Sequence, residues 1–327
     1  MTTDTAALSQ AAEDLNRLKT EIRRAYIGQE ALVDGVVLGM LARGNLLLEG
    51  APGLGKTLLV RVLSQTLQLS FSRVQFTPDL MPADITGGPT LLKNAAGETE
   101  IRFRPGPIFA HVVLADEINR GTPKTQSAML EAMQEHAVTI AGERRVLEEP
   151  FFVIATQNPI EHEGTYPLPE AQLDRFLFKL LVALPPLAVL TRIGLETTGE
   201  AQQTPEAVLS QERLLELQAL TRQIVVSDHI AELAAKLTLA THPDSEHCPA
   251  ALKPWVRFGA SPRATQALVL AGRAHALMAG RAWVDVADVL AVARPILRHR
   301  IFPTFEAELE GITTERLVDD LLSAFSA

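Results

Sequence analysis

A chain of 327 residues, 47% apolar and 21% charged, has the length for two globular domains and the apolar content for a sizeable core. No apolar run approaches the ~20 residues of a membrane span, residues 1–24 lack the apolar centre of a signal peptide, and the lone Cys248 permits neither an internal disulfide nor a cysteine metal site, so a cytoplasmic protein is expected. The net charge of −9, with no dense Lys/Arg run, weighs against sequence-independent binding to nucleic acid.

Residues 6–24 have the spacing of an amphipathic helix, with Leu8, Leu15, Leu18 and Ile22 on one face. Gly28 and Gln29 mark a turn before a second helix that runs through Leu41; standing ahead of the phosphate loop, they are candidates for packing against a nucleotide base. Leu46, Leu47 and Leu48 then read as a strand buried on both faces.

The stretch that follows organises the chain. Gly50, Ala51, Pro52, Gly53, Leu54, Gly55, Lys56 and Thr57 match G-x-x-x-x-G-K-S/T at every fixed position, with Leu58 beginning the next helix. The glycines let successive N–H groups turn toward phosphate oxygens, and the helix N-terminus adds its unpaired donors. Lys56 is placed for the β- and γ-phosphates and the Thr57 hydroxyl for Mg²⁺. Leu59, Val62, Leu63, Thr66 and Leu67 form the apolar face of that helix.

Residues 71–76 read as a second strand. The stretch 79–109 holds too many Pro and Gly residues for one helix, and residues 90–93 and 99–104 pair naturally as an inserted hairpin around a turn at 94–97. On its second strand Glu100, Arg102 and Arg104 share one side and Ile101 and Phe103 the other. It is either a surface elaboration or a finger that touches a partner.

His111 to Glu117 is an apolar strand that ends in paired acids. Asp116 can join the Mg²⁺ shell, and Glu117 can orient and polarise the attacking water. Thr122-Pro123 caps a helix whose apolar side is Gln126, Met129, Leu130, Met133 and Ala137. Residues 151–157 form another buried strand, and Asn158 would sit beside the two acids if the strands are neighbours. Arg175 falls on an expected short helix at 173–176. After Leu184-Pro-Pro186 no strand pattern recurs. Helices are expected near 211–224, 228–241, 262–280 and 285–293, capped by Ser210, Asp228, Ser261 and Asp285.

Gly-Ala-Pro-Gly-Leu-Gly-Lys-Thr (50–57), Leu-Ala-Asp-Glu-Ile-Asn-Arg (114–120), Ala-Thr-Gln-Asn-Pro (155–159), Leu-Pro-Glu-Ala-Gln-Leu-Asp-Arg-Phe (168–176) and Ser-Pro-Arg-Ala (261–264) together resemble the MoxR group of AAA+ ATPases, from about Ile27 to Ile301. The resemblance implies an α/β fold: a P-loop NTPase αβα sandwich with a five-stranded parallel sheet, and a smaller all-α lid. The matching boundaries are an N-terminal extension at 1–24, a core at 25–184 and a lid at 185–327. It also implies the clade with a hairpin inserted in the second core helix. By matching position Asn158 is similar to the family's sensor 1, Arg175 to its arginine finger and Arg263 to its sensor 2, acting in its own site or its neighbour's. The implied cofactors are ATP and Mg²⁺, and the implied assembly is a hexameric ring of identical chains. A client would be supplied in trans, a von Willebrand A-domain protein or another, for complex maturation or metal and cofactor insertion. Two other readings stand beside this ATP-hydrolysing chaperone: a nucleic-acid ring motor, kept open by Arg102 and Arg104, and a nucleotide-gated scaffold with little turnover.

Overall fold

The computed structural model of the chain describes residues 5–93, 99–159, 164–198 and 204–326. In chain order it begins with α1 (Thr5–Ala25), α2 (Glu30–Leu41), β1 (Leu46–Glu49), α3 (Lys56–Thr66), β2 (Phe71–Gln75) and α4 (Pro82–Thr86). The inserted hairpin β3 (Gly87–Lys93) and β4 (Thr99–Pro105) follows, then β5 (Val112–Asp116), α5 (Pro123–Glu135), a second hairpin of β6 (Ala137–Ile140) and β7 (Glu143–Val146), β8 (Phe152–Gln157), α6 (Glu170–Leu173) and β9 (Phe178–Leu181). Beyond α7 (Leu187–Thr197) come α8 (Gln211–Gln223), α9 (Asp228–Leu239), β10 (Val256–Phe258), α10 (Pro262–Met278), α11 (Val286–Leu297), β11 (Phe302–Pro303), α12 (Phe305–Leu309) and α13 (Thr314–Ser326).

The main sheet has five parallel strands in the order β2-β5-β8-β1-β9. Successive strand residues face opposite sides, and both sides are covered. Leu46, Leu48, Val112, Leu114, Phe152 and Ile154 pack with α1, α2, α3 and the C-terminal helices. Leu47, Val113, Ala115, Val153 and Ala155 pack with Ile85, Ile108 and the α5 residues Met129, Leu130 and Met133. This explains the unbroken apolar runs: a parallel strand covered on both faces has no polar side to alternate with. Asn45 ties the layers together at the start of β1, its amide donating to the Met133 carbonyl (3.2 Å) and accepting from the Val153 N–H (2.8 Å).

Several local expectations change in the folded chain. The C-terminal region is helical but not entirely so, because β10 and β11 pair as a small antiparallel ribbon. Strands of three and two residues are too short to carry a readable period. The cap of α9 is Ser227, whose hydroxyl accepts from the Ile230 N–H, and Asp228 is already helical. Arg175 lies just past α6 rather than within it. Ala137 starts β6 instead of ending α5. The hairpin of β6 and β7 is an addition to the expected elements; its local signal is Ala141-Gly142, both at positive φ, the two-residue turn that joins twisted strands. α1 packs against α2, α3 and α10 and buries Leu8, Ala11, Leu15, Leu18 and Ile22, so the N-terminal segment joins the main core. The inserted hairpin pairs Leu91 with Ile101 and Thr90 with Arg102, while its turn at 94–97 lies outside the described residues. Among the described residues no helix is long and apolar enough to cross a membrane.

Candidate functional site

The carboxyl ends of β1, β5 and β8 meet where the strand order reverses, the crevice in which open α/β sheets bind ligands. A cavity of about 390 Å³ opens there, lined by Pro52, Gly53, Leu54, Gly55, Lys56, Thr57, Arg73, Asp116, Glu117, Thr156 and Asn158. The loop from Gly50 to Gly55 leaves the sheet sharply, with Gly53 and Gly55 at φ near +79° and +78°. Gly50 lies so close to Val182 that a Cβ would stand 2.4 Å from the Val182 carbonyl oxygen. Lys56 is buried, and its ammonium donates to the carbonyls of Gly50 (2.5 Å) and Ala51 (2.9 Å). Desolvation lowers its pKa, opposed by the nearby charges of Asp116 and Glu117. Leu58, in the first turn of α3, is exposed.

The two acids are held by their neighbours in the sheet. β5 pairs with β8, so Thr156 stands beside Asp116; its hydroxyl donates to Asp116 Oδ1 (2.6 Å) and accepts from the Glu117 N–H (2.8 Å). From β2, Arg73 donates to Asp116 Oδ2 through Nε (2.9 Å) and its terminal nitrogen (2.6 Å). Glu117 sits in the left-handed region at φ 55°, uncommon for a non-glycine residue and characteristic of strained functional positions. Its Oε2 accepts from Gln75 Nε2 (2.9 Å) and from Arg120 (3.0 Å). Asn158 is buried at the end of β8, on the cavity wall.

The base-side candidates lie next to the loop. Gly28, at φ +91°, is packed so closely by α7 that a Cβ would lie 2.4 Å from Val189 Cγ1. Gln29 is also left-handed and caps α2. Tyr26 packs against Gly55, and burial pushes its phenol up to about 12.

Arg175 and Arg263 are not among the residues lining this cavity. Arg175 lines a separate recess of about 250 Å³ with Ser127, Glu131, Gln134, Glu135 and Gln172, and its Nε has no hydrogen-bond partner among the described residues. Arg263, at the start of α10, pairs with Asp174 at 3.4 Å. A larger recess of about 520 Å³ between α2, β9, α10 and α11 is mostly aliphatic and includes no residue of the phosphate loop.

Sequence reasoning missed Arg73, Gln75, Arg120 and Thr156, which hold the acids, and Tyr26 and Val189 near the loop. Arg73 and Gln75 alternate on β2 toward the cavity side, a signal that becomes legible only once Gln75 is known to pair with Asp116. As to fit for a nucleotide with Mg²⁺, Thr57 and Asp116 bring a hydroxyl and a carboxylate to the same cavity, the hard oxygen donors that this cation takes. The loop and Lys56 supply the donors that phosphates need.

Residues 45–178 match the family described as ATPase family associated with various cellular activities (AAA), and residues 250–321 match the AAA lid domain. The chain is 41% identical to Chaperone MoxR1 of Mycobacterium tuberculosis over 96% of its length and 82% of that protein's. It is 42% identical to the uncharacterised protein YeaC of Bacillus subtilis, covering 95% of this chain and 93% of that one. A candidate ATPase of known crystal structure from Cytophaga hutchinsonii superposes with a TM-score of 0.89 at 36% identity, covering 97% of this chain and 95% of that one.

Proposed function

The chain belongs to the MoxR group of AAA ATPases, and from that premise we propose that it hydrolyses ATP in a ring of identical subunits, six by family resemblance, and uses the cycle to remodel partner proteins. The observation that carries this reading is the convergence of Lys56, Thr57, Asp116, Glu117 and Asn158 on one cavity, with Arg175 outside it.

In the proposed cycle Lys56 exchanges the carbonyls of Gly50 and Ala51 for phosphate oxygens. Thr57 and Asp116 would hold Mg²⁺, which would supply positive charge against the phosphates. Glu117 accepts from a water through Oε1, since Gln75 and Arg120 both bond to Oε2. As the water oxygen bonds to the γ-phosphorus, the bond to the bridging oxygen breaks and the water proton passes toward Glu117. Asn158 orients that water. The γ-phosphate still needs a cation on its open side, and Arg175 of an adjacent subunit would supply it.

For partners we propose a client protein bound in trans, a von Willebrand A-domain protein in keeping with the group, and action in the cytoplasm on complex maturation or metal and cofactor insertion. The hairpin supports protein over nucleic acid: Arg102 is paired with Glu100 at 2.5 Å, while Leu91 and Ile101 stand exposed on the other side.

The test is Glu117→Gln. ATP binding persists while turnover falls at least ~10²-fold, because the water loses its polarising carboxylate. Hydrolysis at the wild-type rate would refute the role given to Glu117.

A further inference from the structure

Arg300 is 3% exposed, and every hydrogen bond of its guanidinium is made inside the protein. Nε donates to Asp174 Oδ1 at 2.8 Å. One terminal nitrogen donates to the carbonyls of Asp174 (3.1 Å) and Phe176 (2.7 Å), the residues on either side of Arg175. The other donates to the carbonyls of Leu177 (3.2 Å) and Ile296 (2.5 Å). Next to it His299 Nε2 donates to the Phe176 carbonyl at 3.0 Å. The Asp174 carboxylate is shared: Ser261 at the start of α10 donates to it at 2.7 Å and Arg263 lies 3.4 Å away.

Apart from the bond to Ile296 in the lid itself, these bonds converge on residues 174–177, and their donors come from the lid. Burying a guanidinium costs several kcal/mol, and a well-packed apolar residue commonly gives as much stability. What a buried arginine adds is a fixed geometry for the groups it holds. The Arg175 Nε meanwhile has no hydrogen-bond partner among the described residues, so the direction of the side chain depends on the backbone that Arg300 clamps.

We propose that Arg300 is the positioning residue of Arg175: the lid, through Arg300 and the shared Asp174, sets the arginine that reaches a neighbouring subunit's phosphate cavity. Lid orientation in one subunit thereby controls hydrolysis in the next. This rests on the shared-site reading of Arg175 given above.

The test uses purified full-length chain. Arg300→Lys keeps a cation for Asp174 but cannot hold four carbonyls, and a misplacement of ~1 Å typically costs ~10²-fold in rate. Turnover therefore falls ~10–10²-fold while the affinity for ATP stays within about twofold. Arg300→Lys subunits are then mixed with Lys56→Ala subunits, whose arginine is intact and whose phosphate loop is not. Activity rises well above the sum of the separate samples, because intact loops now face well-placed arginines. A merely structural role for Arg300 predicts no such rescue, and its absence overturns the proposal. Arg175→Ala mixed with Lys56→Ala is the control: rescue there without rescue of Arg300→Lys refutes the positioning role alone, and no rescue in either mixture refutes the shared site and the proposal with it. If Arg300→Lys does not fold, Asp174→Asn keeps all four carbonyl bonds of Arg300 and weakens the carboxylate contacts with Arg300, Ser261 and Arg263. It then shows a smaller loss of turnover with the same rescue, and a loss without rescue again overturns the proposal.

Discussion

Replacing Thr156 by valine is the sharpest test of how the acids are held. One buried hydroxyl, on a residue 1% exposed, donates to Asp116 Oδ1 and accepts from the Glu117 N–H. Valine keeps the branched shape and removes both bonds. A hydrogen bond to a charged partner contributes about 1.5–3 kcal/mol and a neutral one about 0.5–1.5 kcal/mol. Arg73 still donates twice to Asp116, so the lower halves of these ranges apply, about 2–3 kcal/mol in all. At 1.36 kcal/mol per factor of ten, turnover falls about 30–150-fold if the whole loss is felt in the transition state. Nucleotide affinity changes by less than about threefold, because the phosphate loop is untouched. Thr156→Ser retains both bonds and stays near wild type. The assay is steady-state release of phosphate over a range of ATP, with nucleotide affinity and thermal unfolding measured on the same samples. A valine variant that folds and turns over within twofold of wild type would show that this hydroxyl does not hold the acids in their working position.

Two further outcomes follow from the packing. His299 is enclosed, and its pKa is driven well below the ordinary 6.5, first by burial and then by the adjacent Arg300. Below pH 6.5 the unfolded chain takes up a proton that the folded chain refuses, so stability is retained above that pH and lost as it falls, by about 1.4 kcal/mol per unit. Chemical denaturation of His299→Gln between pH 7 and 5.5 should show a flatter profile than wild type; identical slopes would mean that His299 is protonated in the fold. Gly28→Ala places a Cβ 2.4 Å from Val189 Cγ1 in a left-handed backbone. It should cost about 1–3 kcal/mol of stability and raise the KM for ATP more than it lowers kcat. An unchanged KM would remove Gly28 from the nucleotide site.

Much of the architecture could be read along the chain, because the signals that specify it are local. The glycines and Lys-Thr of residues 50–57 carry their phosphate geometry in eight consecutive positions, and the apolar runs at 46–48, 112–115 and 152–155 announce strands covered on both faces. All five residues of the face expected for α3 are buried, Leu67 as its C-cap, and Ser210, Ser261 and Asp285 stand at the helix starts expected of them. The placement of short elements was less legible. Nothing in a three-residue strand such as Val256–Phe258 distinguishes it from a loop until its partner, about 45 residues on, is in place.

What only the tertiary structure decided is which residues share a space. Strand order is a long-range choice: putting β8 between β1 and β5 brings Thr156 and Asn158 to the acids, and putting β2 beside β5 brings Arg73 and Gln75. An arginine or glutamine on a strand has no local mark of its task, since that task is a bond to a residue about 40 positions away. The same holds for Arg300, an ordinary basic residue after a helix until the lid folds back on residues 174–177. The chain alone thus names the groups proposed to meet phosphate, because their geometry is built by neighbours in sequence. The groups that hold the acids, and those that bond the backbone on either side of Arg175, emerge only from packing, because they act across the sheet and across the junction with the lid.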